Sequence, residues 1–211
     1  MEVLNRTPFK VAWLPAKRKP PQWTATFLVK GTFRLRPGAA AETAEEQSEL
    51  SGDVHVDRDP GNELRYPDDF AVFKPRADLL LVGTCAAPGG IAAESVPVRF
   101  QVGAFSKSLA VTGDHAWRGP VTPFLSMPLT YAKAYGPVAA NPVGTGRVES
   151  AGPMPNIEWI DRRIADPEQG AEPAGIGPVS GTWAPRSGLV GSFGRDWLKK
   201  RWPWYPAARG S

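Results

Sequence analysis

Residues 24–38, TATFLVKGTFRLRPG, alternate in character over more than a dozen positions, and no other segment limits the fold as tightly. Ala25, Phe27, Val29, Gly31, Phe33 and Leu35 share one face of an extended chain. Thr24, Thr26, Lys30, Thr32, Arg34 and Arg36 share the other, with Leu28 the exception. Successive side chains of a strand point to opposite faces, whereas a helix brings apolar residues round every three or four positions. The segment therefore predicts a β-strand. Pro37-Gly38 ends it, and a run of this length predicts a bulge or bend at Gly31.

The rest of the chain extends this reading. DVHVDRD (53–59) alternates again through Val54 and Val56, and the apolar run at 78–83 predicts a strand buried on both faces. SVPVRFQVGAFSKSLAVTGDHAW (95–117) predicts a hairpin that turns at AFSKS. Residues 39–52 are acidic and alanine-rich and predict an exposed loop with a short helical turn. After residue 118, Pro/Gly-dense stretches carry apolar residues, which predicts ordered, packed loops in place of a polar linker. GRDWLKKR (194–201) is the one helix candidate, ended by Pro203. Glycine (22) and proline (23) suit short strands and turns. The expected fold is mainly β: one domain over residues 1–211, of antiparallel sheets in a sandwich or partly open barrel, with long loops and a short C-terminal helix.

Composition narrows the function classes. Net charge is +4, with acidic residues interspersed and one dense basic knot at Lys199-Lys200-Arg201, so no nucleic-acid stripe is expected. Cys85 is the single cysteine, which precludes an internal disulfide and fits a reducing compartment. No signal peptide and no membrane-length apolar run are visible. A soluble, cytoplasmic protein with no membrane partner is the expectation.

A catalytic centre is hard to assemble. A nucleophile with a histidine base has only His55 and His115 to draw on, and Cys85 with His115 is the best pair. Cys85, however, ends an apolar run, where a thiol ordinarily behaves as a small hydrophobe. Two histidines and one cysteine do not supply a zinc site. DRDPGNE (57–63) lacks calcium-loop spacing and predicts a turn at Pro60-Gly61. Carboxylate pairs from Asp68, Asp69, Glu158 and Asp161 are unspecific. NPVGTGR (141–147) lacks the strand and helix of a phosphate loop. No catalytic residue, metal or cofactor is expected.

Several islands carry a family resemblance: WTATFLVKGTFRL (23–35), DDFAVFKPRADLLLVGTCAAPGG (68–90), MPLTYAKAYG (127–136), NPVGTG (141–146), MPNIE (154–158), PAGIGPVSGTWAPR (173–186) and DWLKKRWPWYP (196–206). In order and spacing the chain resembles the domain of unknown function 2169 family, encoded in type VI secretion effector clusters. The resemblance implies a non-catalytic adaptor or chaperone. Such a protein binds a toxic effector encoded nearby, stabilises it and helps load it on the secretion spike or its PAAR tip protein. It carries over no catalytic residues. Family members continue past the Trp-Pro-Trp segment, so the chain is expected to be C-terminally truncated relative to them.

For partner binding the first candidates are the aromatic cluster Trp197, Trp202, Trp204 and Tyr205, with loops 137–158 second. Lys74 and Arg76, which flank Pro75, are a candidate polar rim. The competing reading pairs them with Asp78 at a strand start, because proline cannot donate to a central ladder. Two alternative functions stay open: a hydrolase using His115 with Cys85 or an acidic pair, and a carbohydrate- or peptidoglycan-binding module using tryptophans.

Overall fold

The structure, a computed structural model, describes the backbone of residues 3–18, 23–70, 77–146, 152–165, 170–184 and 204–206. It describes the side chains of all of these except 16–18, 24 and 204–206. The chain divides into two compact units, Met1–Val54 with Pro67–Asp78 and Gly191–Ser211, and His55–Tyr66 with Leu79–Val190. Both are built from β-strands paired mainly in antiparallel ladders, with one parallel pair among the described residues. Among the described residues the only helical turns are short 3-10 turns, no sheet closes into a barrel, and no helix is long and apolar enough to cross a membrane. The expected helix at 194–201 lies outside the described residues.

In the first unit, β1 (Lys10–Arg18) and β2 (Trp23–Lys30) form an antiparallel hairpin in the register Lys10↔Lys30 to Lys17↔Trp23. The segment Trp204–Pro206 pairs with the other edge of β1. The strand expected across 24–38 breaks where glycine was expected to bend it. β2 stops at Lys30, and the chain resumes as β3 (Phe33–Arg34), which pairs with β4 (Glu42–Thr43). A Cβ at Gly31 would come within 2.9 Å of the Phe33 ring and 3.1 Å of the Phe9 ring, so only glycine lets these aromatics close over the bend without displacing them. No helical turn forms in 39–52, where Glu42 and Thr43 are engaged in β4 and the backbone stays exposed.

After β5 (Val54–His55), the chain makes the expected turn around Pro60-Gly61. Val56 N donates to Glu63 O (2.9 Å), and the Asp59 carboxylate accepts from Gly61 N (2.9 Å) before β6 (Leu64–Tyr66) begins. Asp57 and Arg58 take positive φ to make the bend. Residues 78–83, with the apolar run Leu79–Val82, form no strand, contrary to expectation. Leu81 alone packs on the core, while Leu79, Leu80 and Val82 are exposed. Leu81 N donates to Ile176 O (3.1 Å), so this stretch is tied down by a loop in place of a ladder. β7 (Thr84–Ala86) starts only after Gly83.

The core of the second unit lies against the sheet of β8 (Ser95–Val102), β9 (Phe105–Thr112) and β13 (Ile157–Trp159), with β9 in the middle. Residues directly opposite in an antiparallel pair share a face. The registers Val96↔Val111↔Ile157 and Val98↔Leu109↔Trp159 therefore stack two apolar rows. β7 and β10 (Ser126–Pro128) add Cys85 opposite Met127, and Phe124, Leu129, Ala174 and Ile176 complete the cluster. Each such large side chain contributes about 1.5–3 kcal/mol. The β8–β9 turn falls at Gly103-Ala104, earlier than AFSKS, because Gly103 can take φ +58 there and Phe105–Ser108 joins the ladder.

The Pro/Gly-rich loops are packed, as expected. β11 (Tyr135–Gly136) and β12 (Thr145–Gly146) pair in parallel around Asn141, whose Nδ2 donates to Tyr131 O (2.8 Å) and Tyr135 O (3.1 Å). Met154, Asn156, Ala174, Ser180 and Trp183 are all buried.

Candidate functional site

The two units treat apolar residues in opposite ways. In the first, no described side chain is fully buried. The register Val11↔Val29, Trp13↔Phe27, Pro15↔Ala25 places six apolar residues on one face of the hairpin, with Trp23 next along β2. That face is turned to solvent: Trp23 is 62% exposed, Phe27 54% and Val29 64%. Ala12, Leu14, Thr26 and Leu28, on the other face, are half-buried. The apolar face of the alternating segment, which a sequence pattern assigns to a core, is thus the more open of the two. Beyond the bend, Phe33 and Leu35 continue the exposure. A contiguous apolar surface of this sort marks an interaction site more often than scattered exposed residues do.

Ion pairs hold the Lys10/Lys30 end of the hairpin, on the face opposite the stripe. Lys10 Nζ donates to the Glu49 carboxylate. Lys30 Nζ reaches the Asp69 carboxylate at 2.7 Å and Glu49 O at 2.9 Å, and Asp69 also accepts from Ser51 N (2.9 Å). These contacts fix the loop around 49–51 and the stretch at 68–70 beside the hairpin.

The second unit holds Cys85, His115, Glu158 and Asp161 of the titratable groups weighed from the sequence. Cys85 lies in the core, where burial pushes its thiol up. His115 Nδ1 lies 2.8 Å from Gly113 O. Asp114 accepts from Asn156 Nδ2 (2.9 Å) and lies 3.5 Å from Lys133 Nζ. The Asn156 bond first, then the lysine charge, lowers its carboxyl. Buried Glu158 accepts from Ile164 N (2.9 Å) and Arg163 Nε (3.3 Å). Asp68, in the first unit, accepts from Phe70 N (2.7 Å). Cys85, His115, Asp68, Asp69 and Glu158 are thus each engaged elsewhere than with one another, and Asp161 is exposed. Among the described residues no group of three or more His, Cys, Asp or Glu side chains is arranged to hold a metal ion.

Two groups that sequence reasoning passed over are unusual. Glu63 is buried, and its carboxylate accepts from Tyr131 N. Burial pushes it up against hydrogen bonds from Tyr131, Ala132 and Thr130 that pull it down. Lys107 donates to Gly175 O and stands 4.1 Å over the Trp159 ring, and burial lowers its ammonium. Neither residue carries a motif, so only tertiary structure reveals them. Beside Trp159 lies an open depression of about 270 Å³, whose Arg162 and Arg163 are occupied by Glu172 and Glu158.

A family model described as an uncharacterized protein conserved in bacteria (DUF2169) matches residues 21–209. The chain belongs to the DUF2169 family. The match takes in β2 and all of the second unit, while β1 precedes it. No curated protein and no solved structure matches the chain.

Of the partner-binding residues expected from the DUF2169 sequence, Lys74, Arg76, Trp197 and Trp202 lie outside the described residues. Trp204 and Tyr205 are placed by backbone alone, at register positions opposite Arg18 and Lys17 of β1. The described parts of loops 137–158 bury Asn141 and Met154 through Glu158, which makes them part of the second unit's interior. Trp13 and the Trp23–Val29 face were not singled out as a surface, because Pro15 interrupts β1 and both of its faces read as apolar.

Proposed function

We propose that this protein is a non-catalytic adaptor that binds a toxic type VI secretion effector encoded nearby, stabilises it and helps load it on the secretion spike. The observation that carries the reading is the exposed apolar stripe of β1 and β2, in a unit with no fully buried described side chain. A two-stranded hairpin is marginal alone in water, and an adaptor needs apolar surface that its client covers. Family membership supports the reading through the resemblance set out above. The structural engagement of Cys85, His115 and Glu158 leaves these side chains committed to the fold.

The test is genetic and biochemical. With the gene deleted, the effector encoded beside it should fall in abundance and in secretion, and the two proteins should co-purify when expressed together. Equal effector abundance and equal secretion without this protein would overturn the adaptor reading.

A further inference from the structure

One strand edge in the second unit is open. In the sheet of β13, β9 and β8, β9 is flanked on both sides and β8 forms one edge. Ser95 lies opposite Thr112, and Gly113 N donates to Glu94 O (2.9 Å). In an antiparallel ladder the backbone groups of successive residues point alternately toward the neighbouring strand and away from it. Those of Val96, Val98, Phe100 and Val102 therefore face β9, and those of Ser95, Pro97, Arg99 and Gln101 face outward. The far side of β9 has the matching phase. Opposite Ser95 and Arg99, Thr112 N donates to Asn156 O and Ser108 O accepts from Ile160 N. Ala93, the outward residue before Ser95, is bridged to Phe124. From Ser95 to Gln101 no outward backbone group has a backbone partner among the described residues, and all four residues are exposed. This edge is about 20 Å long and carries four carbonyls and three N–H groups, since Pro97 has none.

Such an edge is specific in its demand. Donors and acceptors recur along it about every 7 Å, a complement that an extended polypeptide supplies. A phosphodiester offers acceptors alone. A second copy of the chain fits poorly. Paired about a two-fold axis at Arg99, two β8 edges set their arginines directly opposite each other. At Val98 both copies forfeit a bond at Pro97. At Phe100 only Arg99 and Gln101 pair before Gly103 turns the chain at φ +58. Proline and charge guard the edge against its own copies and leave the half from Arg99 to Gln101 open to a different strand. The two faces differ there. Phe100 and Phe105, whose rings meet edge to face at 6.3 Å, and Val102, 47% exposed, lie on the side where Val96 is buried. Arg99 and Gln101 lie on the other.

We infer that the outer edge of β8 adds an extended polypeptide segment as a fourth, antiparallel strand. Its apolar residues sit beside Phe100 and Val102, and a carboxylate sits opposite Arg99. Resting on the adaptor reading, that segment belongs to the effector.

The probe is a labelled ten-residue peptide alternating valine and threonine, with glutamate in place of one central threonine. Anisotropy is read with the full-length protein. The phase dictates which peptide nitrogens matter, because N–H groups at the threonine and glutamate positions face β8 and those of the valines face away. N-methylation at the valines should leave saturable binding in the micromolar range, and N-methylation at the other positions should abolish it. Lysine in place of glutamate should weaken binding about fivefold, and Arg99→Glu should reverse that preference. Gln101→Pro removes an outward donor that the β9 ladder does not use, so binding should weaken at least about tenfold with an unchanged melting profile. If Gln101→Pro folds poorly, the methylation pattern on the wild-type protein decides. The inference is overturned by no saturable binding of the valine-methylated peptide, by binding indifferent to the methylation pattern, or by a folded Gln101→Pro protein that binds as wild type does. Self-association in light scattering that Gln101→Pro abolishes would also overturn it. If Gln101→Pro co-purifies the effector at the wild-type level, the effector does not use this edge and the adaptor reading stands. If wild-type protein binds the peptide but fails to co-purify the effector, the adaptor reading falls and the edge site stands.

Discussion

Truncating one side chain in each unit separates a core from an open face. Ile157 is 1% exposed, pairs with Val111 in β13–β9 and packs into the cluster with Leu109. Ile157→Ala removes buried methyl and methylene groups and leaves a cavity that the central strand cannot easily close. The expected cost is about 3–4 kcal/mol. Phe27 is the larger residue but is 54% exposed, so its ring loses little when cut back. Partial burial and strand propensity together put Phe27→Ala at no more than about 1.5 kcal/mol. For a chain of this size, Ile157→Ala should lower the melting temperature by roughly 10 °C and Phe27→Ala by about 3 °C. Circular dichroism melts, with urea midpoints as a second probe, measure both. In the presence of the effector the order should change, because Phe27→Ala then loses the stabilisation that binding adds and Ile157→Ala keeps it. A Phe27→Ala cost equal to that of Ile157→Ala in the protein alone would mean that the stripe is already buried, and the reasoning would fail.

Three further perturbations probe the second unit. Burial raises the Glu63 carboxyl above its ordinary 4.5, so the native protein holds this proton more tightly than the unfolded chain does. Stability from this group is therefore greatest below the unfolded value and is lost as pH rises toward the native one. Glu63→Gln should flatten that fall in urea midpoints taken from roughly pH 4 to 7, and identical slopes would refute the assignment. Gly146 has φ +88, and a Cβ there would run into Pro155, so Gly146→Ala should cost about 2–4 kcal/mol or abolish soluble expression. A melt within about 1 °C of wild type would show that the loop relaxes freely. Cys85 is buried and its thiol is pushed up, so alkylation in the native state should run at least about 100-fold slower than in denaturant. Comparable rates would place the thiol at the surface.

The sequence was most legible where one physical cause acted alone. The β8–β9 hairpin was readable because period-two alternation put Val96, Val98, Phe100 and Val102 on one face; that face is buried at Val96 and opens toward the turn, where Val102 is exposed. Its turn was misplaced because AFSKS is as polar as a loop, whereas the chain reverses where Gly103 permits positive φ. The apolar run at 78–83 misled for a different reason. Hydrophobicity alone does not separate a buried strand from an extended loop, and here only Leu81 reaches the core. The packed Pro/Gly-rich loops were legible because apolar residues between the turns had to be buried somewhere. Glu63 and Lys107 were not, since a buried charge is set by contacts distant in sequence, such as Glu63 with Tyr131 and Lys107 with Gly175.

The stripe shows the limit of pattern reading most directly. Alternation tells which side chains share a face and is silent on whether anything covers it. Residues 24–38 and 95–112 carry the same period-two pattern, yet the second packs its apolar rows against a cluster that includes Phe124 and Ile176 while the first faces solvent. What separates them is supply. The second unit packs Phe124, Met127, Leu129, Ala174 and Ile176 with its sheet residues. The first follows its hairpin directly with an acidic, alanine-rich stretch, and its further aromatics, Phe70, Trp197, Trp202, Trp204 and Tyr205 among them, come later in the sequence. A contiguous apolar face left open to solvent is what an interaction site requires. That is why the stripe, and not the search for a catalytic centre, carries the functional proposal.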